Sequence, residues 1–299
     1  MRCKIVFIII ALFQMEVYAD SPGTSGAQVL TQVIGARQLG MGSAFTAVPG
    51  GINSAVWNPA GLSSMKDPQF TTMVLKGLAN TNYGFFSYGN KTADGNYGIS
   101  IINLRGGDIE IISPYGDSRV VESQNDYVMC LSLASFSQNN FAEGINIKVI
   151  NSTLVDQYKA KAYAIDLGWI WRPLSNLSLG GALLNWGTQI TYKEKGDPLP
   201  LTAKLGIMSM TILEQEKKIT TLIDIVKLRD SDIRYNLGIE YNLTSSVVFR
   251  TGYKFGYDLD NLTLGAGVNI GAMCLDYGMG FMGVMNYVHS ISLTYRYGS

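Results

Sequence analysis

From about residue 69 to the C-terminus the chain alternates between apolar positions and small or polar ones, the period of a β-strand with two different faces. Ile233, Tyr235, Leu237, Ile239, Tyr241 and Leu243 alternate with Arg234, Asn236, Gly238, Glu240 and Asn242. Val247, Phe249, Thr251, Tyr253, Phe255 and Tyr257 alternate with Val248, Arg250, Gly252, Lys254 and Gly256. The rule continues through Leu262–Ile270 and Met273–Phe281. Turn residues divide the pattern into fourteen predicted strands, near 69–77, 80–91, 96–106, 124–136, 140–153, 159–172, 176–192, 199–213, 217–228, 232–243, 245–256, 260–270, 272–282 and 286–297. The pattern is weakest in the second, seventh and ninth of these, and in the ninth Leu222, Ile223, Ile225 and Val226 fit either face.

The less apolar face separates two all-β architectures. A soluble sandwich would carry Lys and Glu there, whereas this face is mostly Gly, Ala and Asn with isolated charges, which suits a crowded lumen. Aromatic residues near strand ends, Trp169 with Trp171 and Tyr295 with Tyr297, suit the interfacial girdles of a transmembrane barrel. If the residues ahead of the first strand lie on the periplasmic side, the periplasmic connections are the short "TADG", "QNN", "PLSN", "EQEK", "TS" and "GA". The longest connection, Gly107–Ser123, and the charged "KEKGDP" and "KLRDSD" then lie outside, the asymmetry expected of outer-membrane barrels.

The N-terminus agrees. Arg2 and Lys4 precede the apolar run Ile5–Phe13, and Val17-Tyr-Ala19 offers a cleavage site before Asp20, so residues 1–19 are expected to be a secretory signal peptide. Its removal leaves Cys130 and Cys274 as the thiols of an exported chain, too few for a disulfide framework. Charges balance at 23 basic against 23 acidic residues, which gives no footprint for nucleic acid. Charged residues make up 15% of the chain, against about 25% in ordinary soluble proteins. The expected organisation is a signal peptide over 1–19, a hatch segment over 20–66 and, over 67–299, a 14-stranded antiparallel transmembrane β-barrel in the outer membrane of a diderm bacterium.

Enzymatic chemistry finds little support, and no cofactor or metal is expected. The single histidine, His289, lies in the last strand with Ser290 on the opposite face and no serine two positions away. "GMGFMG" at Gly278, Gly280 and Gly283 falls in a strand with no helix after it, so lumen-facing glycine is the better reading than a dinucleotide fingerprint. "DLDN" at 258–261 lacks the glycine and distal glutamate of a calcium loop.

Residues 26–65, "GAQVLTQVIGARQLGMGSAFTAVPGGINSAVWNPAGLSSM", break the alternation. Gly35-Ala-Arg37, Gly40-Met-Gly42, Ala44-Phe45, Ala47 and Trp57-Asn-Pro-Ala-Gly-Leu62 together resemble the N-terminal signature of the PorV/PorQ-type outer-membrane proteins, relatives of the long-chain fatty acid transporter FadL. The resemblance implies a barrel with a hatch folded into its lumen. FadL-type members pass hydrophobic molecules, and PorV-type members serve protein secretion and surface attachment.

The residues themselves fit a hatch. Gly40 and Gly42 permit turns that a Cβ would forbid, and Pro59 pushes Asn58 toward extended dihedrals from which its amide can cap nearby backbone. Met41, Phe45, Trp57, Ala60, Gly61 and Leu62 are expected to complete it, with Trp57 and Leu62 against the wall. Arg37 is the single charge between Asp20 and Lys66; Glu240, Asp166 and Asp276 are its candidate partners, and periplasmic water is the alternative. Expected lumenal residues are Asp166, Arg234, Glu240, Arg250, Lys254 and Asp276. The function expected is hatch-gated passage of a hydrophobic or amphipathic small molecule of the long-chain fatty acid type, by a protein embedded in outer-membrane lipid. The alternative is a PorV-like component that binds exported proteins.

Overall fold

The computed structural model describes residues 23–113, 115–137, 140–214, 216–259 and 261–298. The expected signal peptide lies outside the described residues. Eighteen strands follow one another: β1 Gln69–Lys76, β2 Asn82–Lys91, β3 Asn96–Arg105, β4 Asp108–Ile112, β5 Ser118–Glu122, β6 Gln124–Ser137, β7 Phe141–Leu154, β8 Tyr158–Leu174, β9 Leu177–Gly187, β10 Ile190–Thr191, β11 Gly196–Asp197, β12 Thr202–Ile212, β13 Lys218–Leu228, β14 Ile233–Asn242, β15 Val247–Phe255, β16 Leu262–Ile270, β17 Met273–Phe281 and β18 Tyr287–Arg296. Fourteen of them close into one antiparallel barrel, with β1 pairing both β2 and β18. Closure leaves the barrel sheet without a free edge, so its strands pair all the way round, as hydrocarbon requires.

Strand periodicity sets the two faces. In β1, Thr71, Met73 and Leu75 are buried while Val74 is 62% exposed. Strand β13, ambiguous by sequence, resolves with Thr220, Leu222, Asp224 and Val226 inward and Ile223 and Ile225 outward. The outward faces present Ile99, Ile101, Leu131, Leu275 and Ile291 to the surroundings all round the wall. An apolar surface of that extent has no place in water and is the lipid-facing side of a transmembrane barrel.

The departures from the expected strands are local. The seventh and eighth predicted strands are too long, because residues 188–201 leave the barrel, form the small β10–β11 hairpin and turn Ile190 and Leu199 into the interior. The loop Gly107–Ser123 is not irregular but carries the β4–β5 hairpin. Gly283 lies in a turn after β17 with φ +58°, so only Gly278 and Gly280 of "GMGFMG" sit on the strand's buried face. A bulge interrupts the β8–β9 pairing between Ile165 and Leu167; Asn185, at φ +63°, turns its N–H out of the ladder and donates it to Asp166 Oδ1 at 2.7 Å.

Candidate functional site

Residues 34–62 are largely buried against the inward faces of the barrel strands. Between short turns, the helix Ala36–Gly40 packs against β16, β17 and β18, while the 3₁₀ turn Pro59–Ser64 packs against β6, β7 and β8. Asn58 is extended at φ −157°, and its side chain holds both sides of the bend: Oδ1 accepts from the Ala60 N–H at 3.0 Å, while Nδ2 donates to Thr46 O at 2.8 Å and to the wall carbonyl of Trp169 at 3.0 Å. Trp57 points back into the segment, donating to Ile34 O at 2.9 Å and meeting Phe45 edge-on. Its outer side rests on the wall, where Lys204 Nζ lies 4.3 Å from the ring centroid. Leu62 packs with Ile52, Met65 and Ala134 of β6.

The wall is shaped to receive this backbone. Five pairs of directly opposed glycines line the lumen: Gly89 with Gly98, Gly144 with Gly168, Gly180 with Gly206, Gly238 with Gly252, and Gly265 with Gly278. Each pair accepts a different stretch of the segment. A Cβ at Gly98 would run into Ile52, at Gly144 into Pro59, at Gly180 into Thr46, at Gly252 into Gly42 and at Gly278 into Ala36. The glycine-rich polar face read from the alternation is therefore a set of seats for the chain, present because strand backbone and segment backbone come too close for side chains.

Charge fixes the segment on one side. Arg37 pairs with Glu240, Nε to Oε2 and Nη2 to Oε1, both at 2.8 Å, a bidentate geometry. Arg250 donates to the same Glu240 Oε2 at 2.7 Å and to Asp276 Oδ1 at 2.7 Å, so the four charges form one chain. Partial burial opposes the Arg37 charge and the Glu240 carboxylate restores it, the balance raising its pKa above the ordinary arginine value. Asp224 takes three donors from the segment through one oxygen: Phe45 N–H at 2.8 Å, Thr46 N–H at 2.9 Å and the Thr46 hydroxyl at 2.7 Å.

Of the expected lumenal residues, Glu240, Arg250 and Asp276 join this network, and Lys254 and Arg234 lie toward Tyr257. Asp166 is lumenal but belongs to another cluster, pairing with Lys148 at 2.7 Å and accepting from Asn146 at 2.8 Å. Sequence reasoning missed Asp224, Lys148, and the asparagines Asn96 and Asn146, whose amides donate to Leu62 O and Ala55 O at 2.7 and 2.9 Å. A signal existed for Asp224, a lone carboxylate in the run "TTLIDIVK" on the parity of Leu222 and Val226.

The other side of the lumen is apolar. Met73, Leu75, Phe85, Ile102, Val128 and Ile150 form one cluster with Val29 and Ile34 of the segment. At the end carrying the longer loops, a pocket of about 380 Å³ opens above the helix, between Val33 and Leu39 of the segment and Leu75, Tyr83, Met282 and Val288. Gln32, Thr81 and the Tyr83 hydroxyl are the polar side-chain groups in its lining, which contains no charged residue among those described. His289 follows the lining residue Val288 but is on the outward face, with Nδ1 2.7 Å from the Tyr277 hydroxyl.

No family model and no curated protein matches the sequence. Solved structures do match the fold. The Ralstonia pickettii toluene transporter TbuX is 13% identical, with 88% of this chain and 98% of that one covered at a TM-score of 0.63. The Pseudomonas putida toluene transporter TodX is 12% identical, covering 88% and 96% at 0.60. A Pseudomonas aeruginosa FadL homologue is 10% identical, covering 89% and 99% at 0.55. The likeness spans nearly the whole described chain and establishes a shared fold, a closed antiparallel β-barrel.

Proposed function

We propose that the chain is an outer-membrane channel for hydrophobic small molecules, exported by residues 1–19 and gated by its N-terminal segment. The observation that carries this reading is the uncharged pocket at the lumen mouth, of a volume ordinary for small-molecule sites. It adjoins the apolar cluster of Leu75, Tyr83, Val29 and Ile34, where the segment meets the wall mainly through apolar contact. The fold shared with toluene transporters supports the same reading. A long-chain fatty acid is the amphipathic variant of this cargo. The lining favours a neutral molecule, because Arg37 is committed to Glu240 and nothing charged in the pocket meets a carboxylate.

Equilibrium binding of labelled toluene and oleate to the purified protein tests this. Saturable toluene binding, lost in Leu75→Asp, is expected; oleate binding that toluene does not displace would move the site elsewhere. A second reading, a receiver of exported proteins, draws on the protruding β4–β5 hairpin, where Ile112 and Val120 are each 68% exposed and Tyr115 is 94% exposed. A protein partner that copurifies with the wild type and is lost when residues 108–122 are replaced by a short glycine-serine turn would favour it.

A further inference from the structure

The barrel strands hold six carboxylates, Asp126, Glu143, Asp166, Asp224, Glu240 and Asp276. Five face the lumen, are buried and have partners. Glu143 faces out. It stands in β7 between Phe141 and Ile145 on the lipid-facing parity, exposed, and among the described residues its carboxylate has no ion pair or hydrogen bond. A lone ionisable residue on a lipid-facing wall costs free energy and calls for a partner from outside the chain.

Glu143 also lines a groove of about 1190 Å³ on the outer wall across β6, β7, β8, β9 and β12. Its sides are Leu133, Leu167, Leu183 and Leu205, and it reaches the short β2–β3 turn at Asp94, at the end where the barrel's connections are short. Directly across the β7–β8 pair from Glu143 stands Trp169, whose ring stacks with Phe141 at 6.4 Å between centroids and lies over Gly181, where a Cβ would meet the indole Nε1 at 2.5 Å. A carboxylate beside an indole is the arrangement that attracts an ammonium group, by charge and by the ring's quadrupole. The leucine-lined length beyond it suits hydrocarbon.

We propose that this groove holds a zwitterionic phospholipid of the periplasmic leaflet, its ammonium headgroup at Glu143 and Trp169 and an acyl chain along the leucines. Charge complementarity selects the headgroup: Lys204, the basic residue of the lining, turns its ammonium away onto Trp57 of the segment, so an anionic phospholipid would bring its phosphate against Glu143 and Asp94 with no ammonium of its own to offset them. The site lies outside the wall and stands apart from whatever the lumen passes.

Native mass spectrometry of the full protein, exchanged into nanodiscs of equal phosphatidylethanolamine and phosphatidylglycerol, tests this. The wild type is expected to retain phosphatidylethanolamine over phosphatidylglycerol by at least fivefold, and Glu143→Gln and Trp169→Leu each to lose that preference. Both variants should keep the gel shift on boiling, which separates loss of the site from loss of the barrel. Equal retention of the two lipids by the wild type, or an undiminished preference in Glu143→Gln, would overturn the proposal. So would a dimer that occupies the groove and excludes lipid from it.

Discussion

Two regions of the lumen hold different stretches of the segment by different physics. On the β13–β17 side the contacts are directional: Arg37 on Glu240, Phe45 and Thr46 on Asp224, and the Gly42 N–H on Thr263 at 2.9 Å. Around β1–β3, β6 and β7, Val29 and Ile34 meet Met73, Leu75 and Ile150 through apolar contact, while Asn96, Asn146 and the Trp169 carbonyl hold Ala55, Asn58, Leu62 and Met65 by hydrogen bonds on the same side of the barrel. Directional bonds to buried charge fix one position, and leaving it strands donors and acceptors in a dry site. Apolar contact is roughly proportional to buried area, so another apolar body can replace it at little cost. On the proposed function, a hydrophobic ligand entering at the mouth pocket displaces the stretch around Val29 and Ile34, while the bonds to Glu240, Asp224, Asn96 and Asn146 anchor the rest.

That contrast breaks most severely where a seat is filled. Gly252→Leu would place a branched side chain where the Gly42 backbone lies. Overpacking of this kind costs about 1–3 kcal/mol or more. The segment should leave the lumen, making Arg37 cleavable by trypsin while the barrel keeps its shift on boiling. Continued protection of Arg37 would mean the glycine seats do not position the chain.

Asp224→Ala comes next. It leaves the Phe45 and Thr46 donors without an acceptor, at about 1–3 kcal/mol for each group that stays buried. Amide exchange at these two residues should rise by about tenfold or more, by the usual factor of ten per 1.4 kcal/mol. Arg37→Ala should do less. The Arg37 side chain is 34% exposed and Glu240 keeps Arg250, so about 1 kcal/mol or below is expected once solvent screening is counted. Exchange at Leu39 and Gly40 would report it.

The smallest effect on the segment should come from the apolar side. Ile150→Val costs about 0.5–1.5 kcal/mol of barrel stability by methylene deletion. Exchange at Phe45 and Thr46 should stay unchanged. If it rose as far as in Asp224→Ala, the two sides would be one cooperative unit and the division into anchor and release face would fail.

The sequence made the barrel legible because strand parity is a local property. Leu237 and Gly238 announce their faces without knowledge of any neighbour, and the turns punctuate the strands. The errors fell at residues 188–201, where Ile190 and Leu199 look like strand residues but are apolar because the loop folds inward. The site was only partly legible. One charge in the segment narrowed the Arg37 partner to three carboxylates, and the lumen geometry selects Glu240. Asp224 was obscured because β13 is apolar on both faces. The glycine seats could not be read at all, since Gly238 faces Gly252 only through cross-strand register, which no single strand records.

The central claim is that the lumen admits neutral hydrophobic molecules along its apolar side. The most direct measurement is uptake of labelled toluene by cells of a diderm host whose outer leaflet is otherwise the barrier. The account predicts faster uptake with the wild type than without it, abolished by Leu75→Asp at the mouth and undiminished by Arg37→Ala. Uptake no faster than in cells lacking the protein, or equal acceleration by Leu75→Asp, would contradict it.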